Sequence, residues 1–578
     1  MERTWKLGRI FVVRHAGFPF DWLEQLGVSG DVRGTLDRVL EIERKVLEDV
    51  ETRRSAPQRA QAADAFRRGR FPKHLTAVAE QDWTSAREAL QSAWAQDRTR
   101  LRAELRTRAA DPRVQEAIFL SNPAMFENVW SRYLRAEPER DNSDTRRVER
   151  QVYTYLQRLC GKNETTSFFG PMAYGELTDD PDYELEIDRA DAIRRRTFFT
   201  YWAVTELGRA IGREKALRPH LPVRVNPLFE LSAEAARCEP LGLSLPLKPE
   251  QYALIEAVRT EGTLARAARK AGLDEELAET LIVPLLKTTM LLRGLSVASD
   301  DLEGFTTLRR ATESLPACDA RERWVERLSG LEALRAEFEA GALERRRALL
   351  PQLEAAFTEY TSVPARRGEG QIYSDRLILY EEARSRFSIR IGALLAKEME
   401  ERLSGALELS AAYGEKVQGA YKRQIADTLG PQEQPLDFLS YAVRTRPKEV
   451  GGSRYSPVPP IELEPQAGST VDLPADALGT SSDGGRYALP DVCLGGPPAG
   501  EGRRGEYGVL LSRVHHHLLV YSWLATHYED RARFEAVSRR WLEGEPTARG
   551  LVGLSVRRRN KGFYSYPGRR LAYSISDP

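Results

Sequence analysis

The sequence predicts an α+β protein, in which a large mixed helical and β body contains an embedded winged helix-turn-helix element. Apolar residues at three- and four-residue steps predict a helix over residues 144–162. Charged helical patterns lie on both sides of it, and a short-strand, three-helix, short-strand pattern occupies residues 221–298. At 578 residues the chain is long enough for several folding units. We predict four parts: 1–220, an N-terminal part with a basic motif; 221–298, the winged-helix-like element; 299–445, a helical region; and 446–578, a loop-rich C-terminal part.

Composition is that of an ordinary soluble protein, with 41% hydrophobic and 30% charged residues. The net charge is only +1, so a nucleic-acid partner would need a local basic patch. Four cysteines lie far apart without a CxxC or Cys/His cluster, which argues against a zinc site and a disulfide framework. This usage indicates a reducing cytoplasm. No secretory h-region or long apolar run is present, so we expect a cytoplasmic protein without a membrane partner.

The first part begins with a strand over residues 8–14 that ends at Arg14, before a Gly-Phe-Pro turn. Residues 30–110 are predicted to be helical. Five arginines between positions 98 and 108 outnumber their acidic neighbours there, which fits a phosphate-contacting face or a solvated helix surface. Asn122-Pro123 predicts a break between two helices.

The predicted helix over 144–162 leads into a polar turn. Four cations recur along one flank at steps of four or eight residues: Arg146, Arg150, Arg158 and Lys162. They repel one another unless an anion or carboxylates lie opposite. Gly161 and Asn163 favour a helix end, and the hydroxyls of Thr165 and Thr166 follow it. Such a junction suits phosphate or carboxylate binding, and a solvated basic face is the alternative.

Two further basic segments lie beside aromatic residues, a combination that binds single-stranded nucleic acid through phosphate contacts and stacking. Arg194 and Arg195 precede the aromatic run of residues 198–202, and Arg558 belongs to the segment VRRRNKGFYSY near the C-terminus. The alternative for each segment is a solvated strand or helix edge.

Residues 221–298 alternate as strands at "PVRVNPLFELS" and "LGLSLPL", continue as three helices and end in "MLLRGLSV". The third helix is acidic and apolar where major-groove readers need arginine, lysine or amides, so DNA is not the expected partner. The pattern suits a peptide bound as an added strand against apolar pockets. A purely structural subdomain is the alternative. The candidate peptide-binding residues are Leu228, Phe229, Leu231, Leu281 and Leu285.

The region after residue 318 is predicted as two long helical stretches, 318–361 and 376–430. A candidate polar cluster lies at the start of the second: Asp375, Arg376, Tyr380 and Glu381. Tyr380 and Glu381 follow Arg376 by about one helical turn, so the three side chains would face the same cleft. A helix cap and a surface ion pair are the alternative. Consecutive histidines at 515–517 cannot all face one metal, and no metal site is predicted.

Three segments in the expected order resemble the lantibiotic dehydratase family, in its N-terminal, glutamyl-transferring half. "YLQRLCGKNETTSFFGPMAYGE" resembles the family's arginine–hydroxyl–aromatic–glycine segment. "FVVRHAGFPFDWLEQL" is similar to its opening strand with an arginine, and "YSDRLILYEEARSR" is similar to a third segment. The resemblance implies a tRNA-dependent enzyme that glutamylates Ser/Thr side chains of a ribosomally made precursor peptide.

The resemblance also implies roles for particular residues and for the winged-helix element. Arg14, Arg158 and Lys162 would bind the donor, and Thr165 or Thr166 would hydrogen-bond near the acyl centre. Lys162 stands where a more typical member has a second arginine, and Asn163-Glu164 lengthens the spacing to the hydroxyls. The winged-helix element would grip the precursor's leader. No bound cofactor is expected, because glutamyl-tRNA is the co-substrate. The chain is too short for an elimination domain as well, so we expect a stand-alone transferase with a separate elimination protein and a cyclase.

The residue inventory is compatible with that chemistry. The sequence contains no P-loop, no GxSxG and no HExxH, and an aminoacyl-tRNA ester needs no nucleotide site for acyl transfer. Arginines would hold tRNA phosphates and a glutamyl carboxylate. Three alternatives remain at this stage: an ATP-dependent ligase that adds an amino acid to the precursor's C-terminus, a non-catalytic precursor-binding scaffold, and a DNA-binding regulator.

Overall fold

A computed structural model of the 578-residue chain divides into two compact units. The helical unit comprises Arg14–Pro171, and the sheet unit comprises Met1–Val13 with Met172–Pro578. The structure describes residues 5–53, 56–73, 77–163, 167, 170–180, 185–188, 193–238, 242–298, 301, 303–367, 376–431, 441, 488–496, 506–515, 532–534, 536–537, 552–556 and 569–573.

The described elements of the helical unit are helices. They are α1 (Asp21–Gln25), α2 (Gly30–Arg53), α3 (Ala56–Arg67), α4 (Ala77–Ala110), α5 (Pro112–Ser121), α6 (Pro123–Met125), a π-helical turn (Phe126–Trp130), α7 (Ser131–Arg135) and α8 (Ser143–Gly161). The predicted helical stretch 30–110 is confirmed. Asn122 ends α5 and caps α6 by accepting a hydrogen bond from Met125 N at 3.0 Å, which confirms the predicted break.

Apolar residues hold α2, α3 and α4 together. Val39 and Val46 repeat at seven-residue spacing along α2 and pack against Phe66 of α3 and Trp83 of α4. The Trp83 indole N–H donates to the Glu43 carboxylate at 2.9 Å, so the polar atom of this large buried side chain is satisfied.

The arginines of α4 are engaged within the helical unit. Arg102 donates to the Glu149 carboxylate of α8 at 2.7 Å, and Arg106 donates to the Tyr133 carbonyl at 2.9 Å. Arg100 donates to the Gln25 carbonyl at 2.9 Å. These contacts tie α4 to its neighbours. They give the arginines a packing role that differs from both expectations, a phosphate-contacting face and a solvated helix surface.

The described elements of the sheet unit mix strands and helices. The strands are β1 (Ile10–Arg14, whose last residue belongs to the helical unit), β2 (Met172–Leu177), β3 (Leu185–Asp188), β4 (Ile193–Phe199), β5 (Val223–Val225), β6 (Glu230–Leu231), β7 (Ala235–Cys238), β8 (Leu243–Pro246), β9 (Leu291–Arg293), β10 (Leu379–Ile391), β11 (Leu489–Gly495), β12 (Gly508–His515), β13 (Val552–Val556) and β14 (Arg569–Tyr573). The helices are α9 (Tyr201–Gly212), a 3₁₀ turn (Arg218–His220), α10 (Pro249–Glu261), α11 (Leu264–Lys270), α12 (Glu275–Lys287), α13 (Gly304–Glu313), α14 (Asp319–Ala340), α15 (Leu343–Thr361) and α16 (Ala393–Leu429).

The long strand β10 is the centre of a five-stranded sheet. It pairs in parallel with β2, and antiparallel with β4 over its first half and with β3 over its last four residues. The prediction of helix from residue 376 is wrong for residues 379–391; the helix begins only at Ala393, in α16. Neighbouring β-strands on both sides give this segment hydrogen-bond partners that its local sequence does not reveal.

The three helices and the closing strand predicted for residues 221–298 are confirmed as α10–α12 and β9, whereas four strands, β5–β8, stand where two were predicted. β5 pairs with β9, and β6, β7 and β8 form a separate three-stranded sheet. Asp274 caps α12 as predicted, accepting from Glu276 N at 3.1 Å, and Pro284 lies inside that helix without ending it. Leu254, Ala267 and Ile282 bring the three helices into one buried core. Assignment as a winged helix stays a prediction.

Little of the last predicted part, 446–578, lies within the described residues. β11 and β12 pair antiparallel, and β13 and β14 pair in parallel. Arg558 lies outside the described residues, as do Thr165, Thr166 and Asp375.

Candidate functional site

Helix α8 presents the predicted basic flank to solvent. Asn142 caps the helix by accepting from Thr145 N at 2.8 Å, and Val152, Leu156 and Leu159 are fully buried on its inner face. The four cations of the flank are exposed: Arg146, Arg150, Arg158 and Lys162. We call these four residues the basic row.

The basic row is only partly neutralised by nearby carboxylates. Arg146 donates to Asp141 at 2.9 Å, and Asp141 also pairs with Arg98. These two guanidiniums hold the pKa of the Asp141 carboxyl below its usual range, so it is ionised at neutral pH. Among the residues that the structure describes, Arg150 has no ion pair.

The C-terminal end of α8 brings Arg14 close to this row. Lys162 is the C-cap residue, and its backbone N–H donates to the Arg158 carbonyl at 3.1 Å. The Arg14 guanidinium donates to the carbonyl of Asn163, the next residue. Arg14 thus holds the chain at the point where it leaves the helix. Arg14 therefore contacts the chain where it leaves α8, one residue after the C-cap Lys162 and five after Arg158.

Two residues beside this junction, Cys160 and Ser167, are buried. Burial raises the pKa of the Cys160 thiol to about 11, so it stays protonated at neutral pH and is a poor nucleophile. Ser167 is almost fully buried and has a φ of 48°, in the left-handed region that favours glycine. Strained backbone of this kind persists where surrounding structure fixes it.

In the sheet unit, strand alternation separates the two predicted arginines of β4. The register places Arg194 opposite Arg384 and Arg195 opposite Ala383, so the two side chains leave opposite faces of the sheet. Arg384 lies in the same segment as the predicted polar cluster, and its position opposite Arg194 depends on strand pairing, which the sequence alone does not show.

The same alternation divides the predicted polar cluster. Tyr380 stacks on Phe198 with ring centroids 5.3 Å apart, whereas Glu381 points to the other face and is almost fully buried. There it accepts from Arg346 at 2.7 Å and from Thr197 Oγ1 at 3.2 Å. The expectation that Tyr380 and Glu381 share one face with Arg376 is therefore wrong, because β10 is a strand and not a helix. Glu381 is a buried structural charge.

An open pocket with a volume of about 90 Å³ adjoins the edge of β4. The backbone of Thr197 there is bound by side chains of α14: its N–H donates to Glu339 at 2.6 Å and its carbonyl accepts from Arg335 at 2.8 Å. Helix α14 thus supplies the hydrogen bonds that another strand would supply at this edge. The pocket lining includes Phe199, Phe305 and Glu332.

The predicted peptide-binding residues differ in exposure. Leu228, Phe229 and Leu285 are buried in the core of the 221–298 module, and Leu231 and Leu281 pack partly buried against that core. Leu277 and Val283 of α12 are exposed, at 46% and 41%. The most exposed apolar residues of α12 are therefore not those that the sequence nominated.

Within the described part of the chain, no group of three or more His, Cys, Asp or Glu side chains is arranged to hold a metal ion. None of the helices described is both long and apolar enough to cross a membrane.

The sequence profile described as "Lantibiotic dehydratase, N terminus" matches residues 110–437, more than half of the chain. The chain belongs to this family. A search of curated protein sequences gives no match.

Solved structures share the fold. The tRNA-dependent lantibiotic dehydratase MibB from Microbispora sp. 107891 is 15% identical with a TM-score of 0.54, over 82% of this chain and 49% of MibB. The glutamylation domain TbtB from thiomuracin biosynthesis is 17% identical with a TM-score of 0.52, over 75% of this chain and 56% of TbtB. A TbtB complex with 5'-phosphodesmethylglutamycin is 18% identical, with a TM-score of 0.52 and the same coverage. The chain thus matches about half the length of these proteins.

Proposed function

We propose that this protein is a tRNA-dependent acyltransferase that glutamylates Ser and Thr side chains of a ribosomally synthesised precursor peptide. The observation that carries the proposal is the basic row of α8, which ends where Arg14 binds Asn163 and the hydroxyl-rich segment begins. Family membership supports it, as does the fold shared with MibB, described as tRNA dependent, and with the TbtB glutamylation domain.

In this proposal the basic row binds the donor. Arg146 and Arg150 contact phosphates of the tRNA, and Arg158, Lys162 and Arg14 lie nearer the aminoacyl end. Arg194, Arg195 and Arg558 are further candidates for tRNA contacts. Exposed arginines suit this role, since guanidiniums bind phosphate and carboxylate oxygens through paired hydrogen bonds.

The transfer itself needs no bound nucleotide. The Ser or Thr hydroxyl oxygen of the peptide attacks the ester carbonyl, a new ester bond forms, and the bond to the tRNA ribose oxygen breaks. The hydroxyl proton passes to that ribose oxygen. Arg158 and Lys162 stabilise the tetrahedral oxyanion, and Thr165 or Thr166 hydrogen-bonds near the acyl centre.

The remaining partners follow from the same proposal. The 221–298 module holds the precursor's leader, with Leu231 and Leu281 closest to the surface of its core and Leu228, Phe229 and Leu285 supporting them from inside. A separate elimination protein and a cyclase act on the glutamylated product. The enzyme works in the cytoplasm, where charged tRNA is available.

The test is mass spectrometry of the precursor peptide after incubation with the protein, tRNA, glutamate and glutamyl-tRNA synthetase. Glutamyl additions on Ser or Thr that disappear with RNase support the proposal. An addition at the peptide C-terminus that needs ATP beyond charging identifies a ligase instead. A bound but unchanged peptide identifies a scaffold.

The variant Arg158→Met/Lys162→Met separates catalysis from architecture. We expect it to bind the peptide normally and to lose glutamylation. Arg38→Met is the matched control, because Arg38 is an exposed arginine on α2 of the same helical unit. Equal activity of both variants would overturn the assignment of Arg158 and Lys162.

A further inference from the structure

The connection between α3 and α4 concentrates positive charge in the helical unit. Residues 59–73 contain five cationic side chains and a single carboxylate, that of Asp64. The five cations are all exposed: Arg59, Arg67, Arg68, Arg70 and Lys73. This segment is therefore far more basic than the chain as a whole, whose net charge is +1.

Carboxylates accompany only two of these five cations. Arg59 pairs with Glu51, and Arg68 pairs with Asp64 at 2.9 Å. Within the part of the chain that the structure describes, the other three have no ion pair: Arg67, Arg70 and Lys73. We call these three residues the turn cations. Like charges so close along the chain repel one another, and an external anion relieves that repulsion.

Backbone hydrogen bonds fix the turn that carries these cations. Gly69 has a φ of 70°, in the left-handed region, and its N–H donates to the Phe66 carbonyl at 2.8 Å. The N–H of Arg70 donates to the Ala65 carbonyl at 2.9 Å. This pair of bonds is the glycine-dependent motif that ends many helices. The backbone that presents the turn cations is thus held in one conformation.

Aromatic packing fixes the same turn from inside and adds another cation to it. The Phe71 ring lies 5.7 Å from the Trp83 ring, centroid to centroid. The Arg87 guanidinium carbon lies 4.7 Å from the Trp83 centroid. A Cβ on Gly69 would be 2.8 Å from Arg87 Nη1, so the guanidinium lies directly against the glycine. The turn cations therefore have a positioned fourth charge beside them.

One face of α4 leads from this turn to the basic row. Arg87, Trp94 and Arg98 are seven and four residues apart, so they project from the helix within about 40° of one another. Trp94 is 43% exposed. Arg98 pairs with Asp141, which also binds Arg146 of the basic row. The helical rise places Arg87 about 16 Å from Arg98 along α4.

This arrangement has the two features that bind a polynucleotide. Exposed cations neutralise its phosphates, and an exposed aromatic ring stacks on an unpaired base. The order along the helical unit is also suitable. Arg158 and Lys162 lie nearer the aminoacyl end in the proposed function, Arg146 is at the other end of the row, and the α4 face continues from there to the turn cations.

We infer that the turn cations and Trp94 bind the body of the tRNA, beyond the acceptor stem. The turn cations contact phosphates there, and Trp94 stacks on an unpaired base. This inference rests on the proposed function and deepens it, because it makes the enzyme dependent on a full-length tRNA and not only on an aminoacylated acceptor end.

The experiment compares two RNAs by filter binding across a range of salt concentrations: full-length glutamate tRNA and a duplex of its acceptor stem alone. The variant is Arg67→Met/Arg70→Met/Lys73→Met. We expect the slope of log K against log salt for the full tRNA to lose about two units of magnitude, since each phosphate contact contributes about 0.7–0.9. Binding of the duplex should stay within twofold of the wild type. In transfer assays KM for the tRNA should rise and kcat should not change.

Trp94→Ala gives an independent test that removes no charge. Loss of one stacked base should weaken binding of the full tRNA by about fivefold or more and leave the duplex unaffected. This variant also keeps the inference testable if the triple variant folds poorly, which circular dichroism and thermal melting would show.

The matched control is Arg33→Met/Arg38→Met/Lys45→Met, which removes three exposed cations from α2 of the same unit. It should leave the slope for the full tRNA unchanged. An equal loss of slope in this control would overturn the inference, because net charge would then be the cause. Wild-type binding of the full tRNA by both the turn variant and Trp94→Ala would overturn it as well, as would equal weakening of tRNA and duplex. A wild-type protein that binds neither RNA would instead overturn the proposed function.

Discussion

Gly175 of β2 lies against the ring of Phe11 in β1. A Cβ atom at this position would be 2.1 Å from a ring carbon, far inside van der Waals contact. The Gly175→Ala substitution must therefore displace the ring, and overpacking of this kind costs about 1–3 kcal/mol. We expect the free energy of unfolding to fall by that amount in a urea titration.

A second glycine provides the control for that prediction. Gly330 lies within α14, and a Cβ there meets nothing within 4 Å. Because glycine disfavours helix interiors, Gly330→Ala should raise the free energy of unfolding by about 0.5–1 kcal/mol. Equal stability of the two alanine variants would contradict the close approach of Phe11 to Gly175.

Cysteine reactivity gives a test that depends on pKa. Because burial raises the pKa of Cys160 to about 11, the reactive thiolate is scarce at pH 8 and its fraction rises only in strongly alkaline solution. Native protein treated with iodoacetamide at pH 8 should be labelled at the exposed Cys493 and not at Cys160 or the buried Cys238. Peptide mass mapping measures this, and rapid labelling of Cys160 would show that its end of α8 opens.

At the scale of elements, a buried ion pair joins β10 to α15. Arg346 and Glu381 have almost no exposed side-chain surface and lie 2.7 Å apart. Glu381→Ala leaves the guanidinium buried without this carboxylate, and such a loss costs about 3–5 kcal/mol. We expect the free energy of unfolding in guanidinium chloride to fall by that amount.

Replacing both Arg346 and Glu381 tests whether the unpaired charge causes this loss of stability. Arg346→Met/Glu381→Leu removes both charges together, so it should cost much less than the single change. Glu337→Ala, which breaks an exposed pair with Arg345 on the neighbouring helices, should cost less than about 1 kcal/mol. A double variant as unstable as Glu381→Ala would indicate that packing, and not the unpaired charge, dominates.

The elements show which parts of the fold local sequence can predict. Helix α8 was predictable because its apolar face, its exposed cations and its end at Gly161 are all encoded within twenty residues. Strand β10 was not, because its partners β2 and β4 lie about two hundred residues earlier and their pairing overrides its local helical appearance. The wrong prediction of a helix here also placed Tyr380 and Glu381 wrongly on one face, since a strand sends consecutive side chains to opposite faces.

At the scale of the whole molecule, the candidate site also has some features that local sequence predicts and others that it does not. The basic row lies on one helix and could be predicted from spacing alone. The pairing of Arg194 with Arg384 requires two strands that are distant in sequence, and the contact of Arg14 with Asn163 spans 149 residues. Sequence spacing therefore identifies charges on one element, whereas the opposition of charges from two elements requires the fold.

The net charge of +1 predicts that tRNA binding depends on this local row and not on a global field. Each phosphate neutralised contributes about −0.7 to −0.9 to the slope of log K against log salt concentration, so the two arginines of the row assigned to tRNA phosphates, Arg146 and Arg150, contribute about −1.4 to −1.8. Filter binding of tRNA between low and physiological salt measures it.

The members of the row should contribute unequally to that slope. Arg146 already lies 2.9 Å from Asp141, whereas the described residues contain no ion pair for Arg150. Arg150→Met should therefore reduce the magnitude of the slope by nearly one unit, and Arg146→Met by less, because removing Arg146 also frees Asp141 to pair more fully with Arg98. The order of the two effects is the informative result. A larger effect at Arg146 would mean that tRNA displaces Asp141 from Arg146, and an equally small effect at both would place the nucleic acid on another face of the protein.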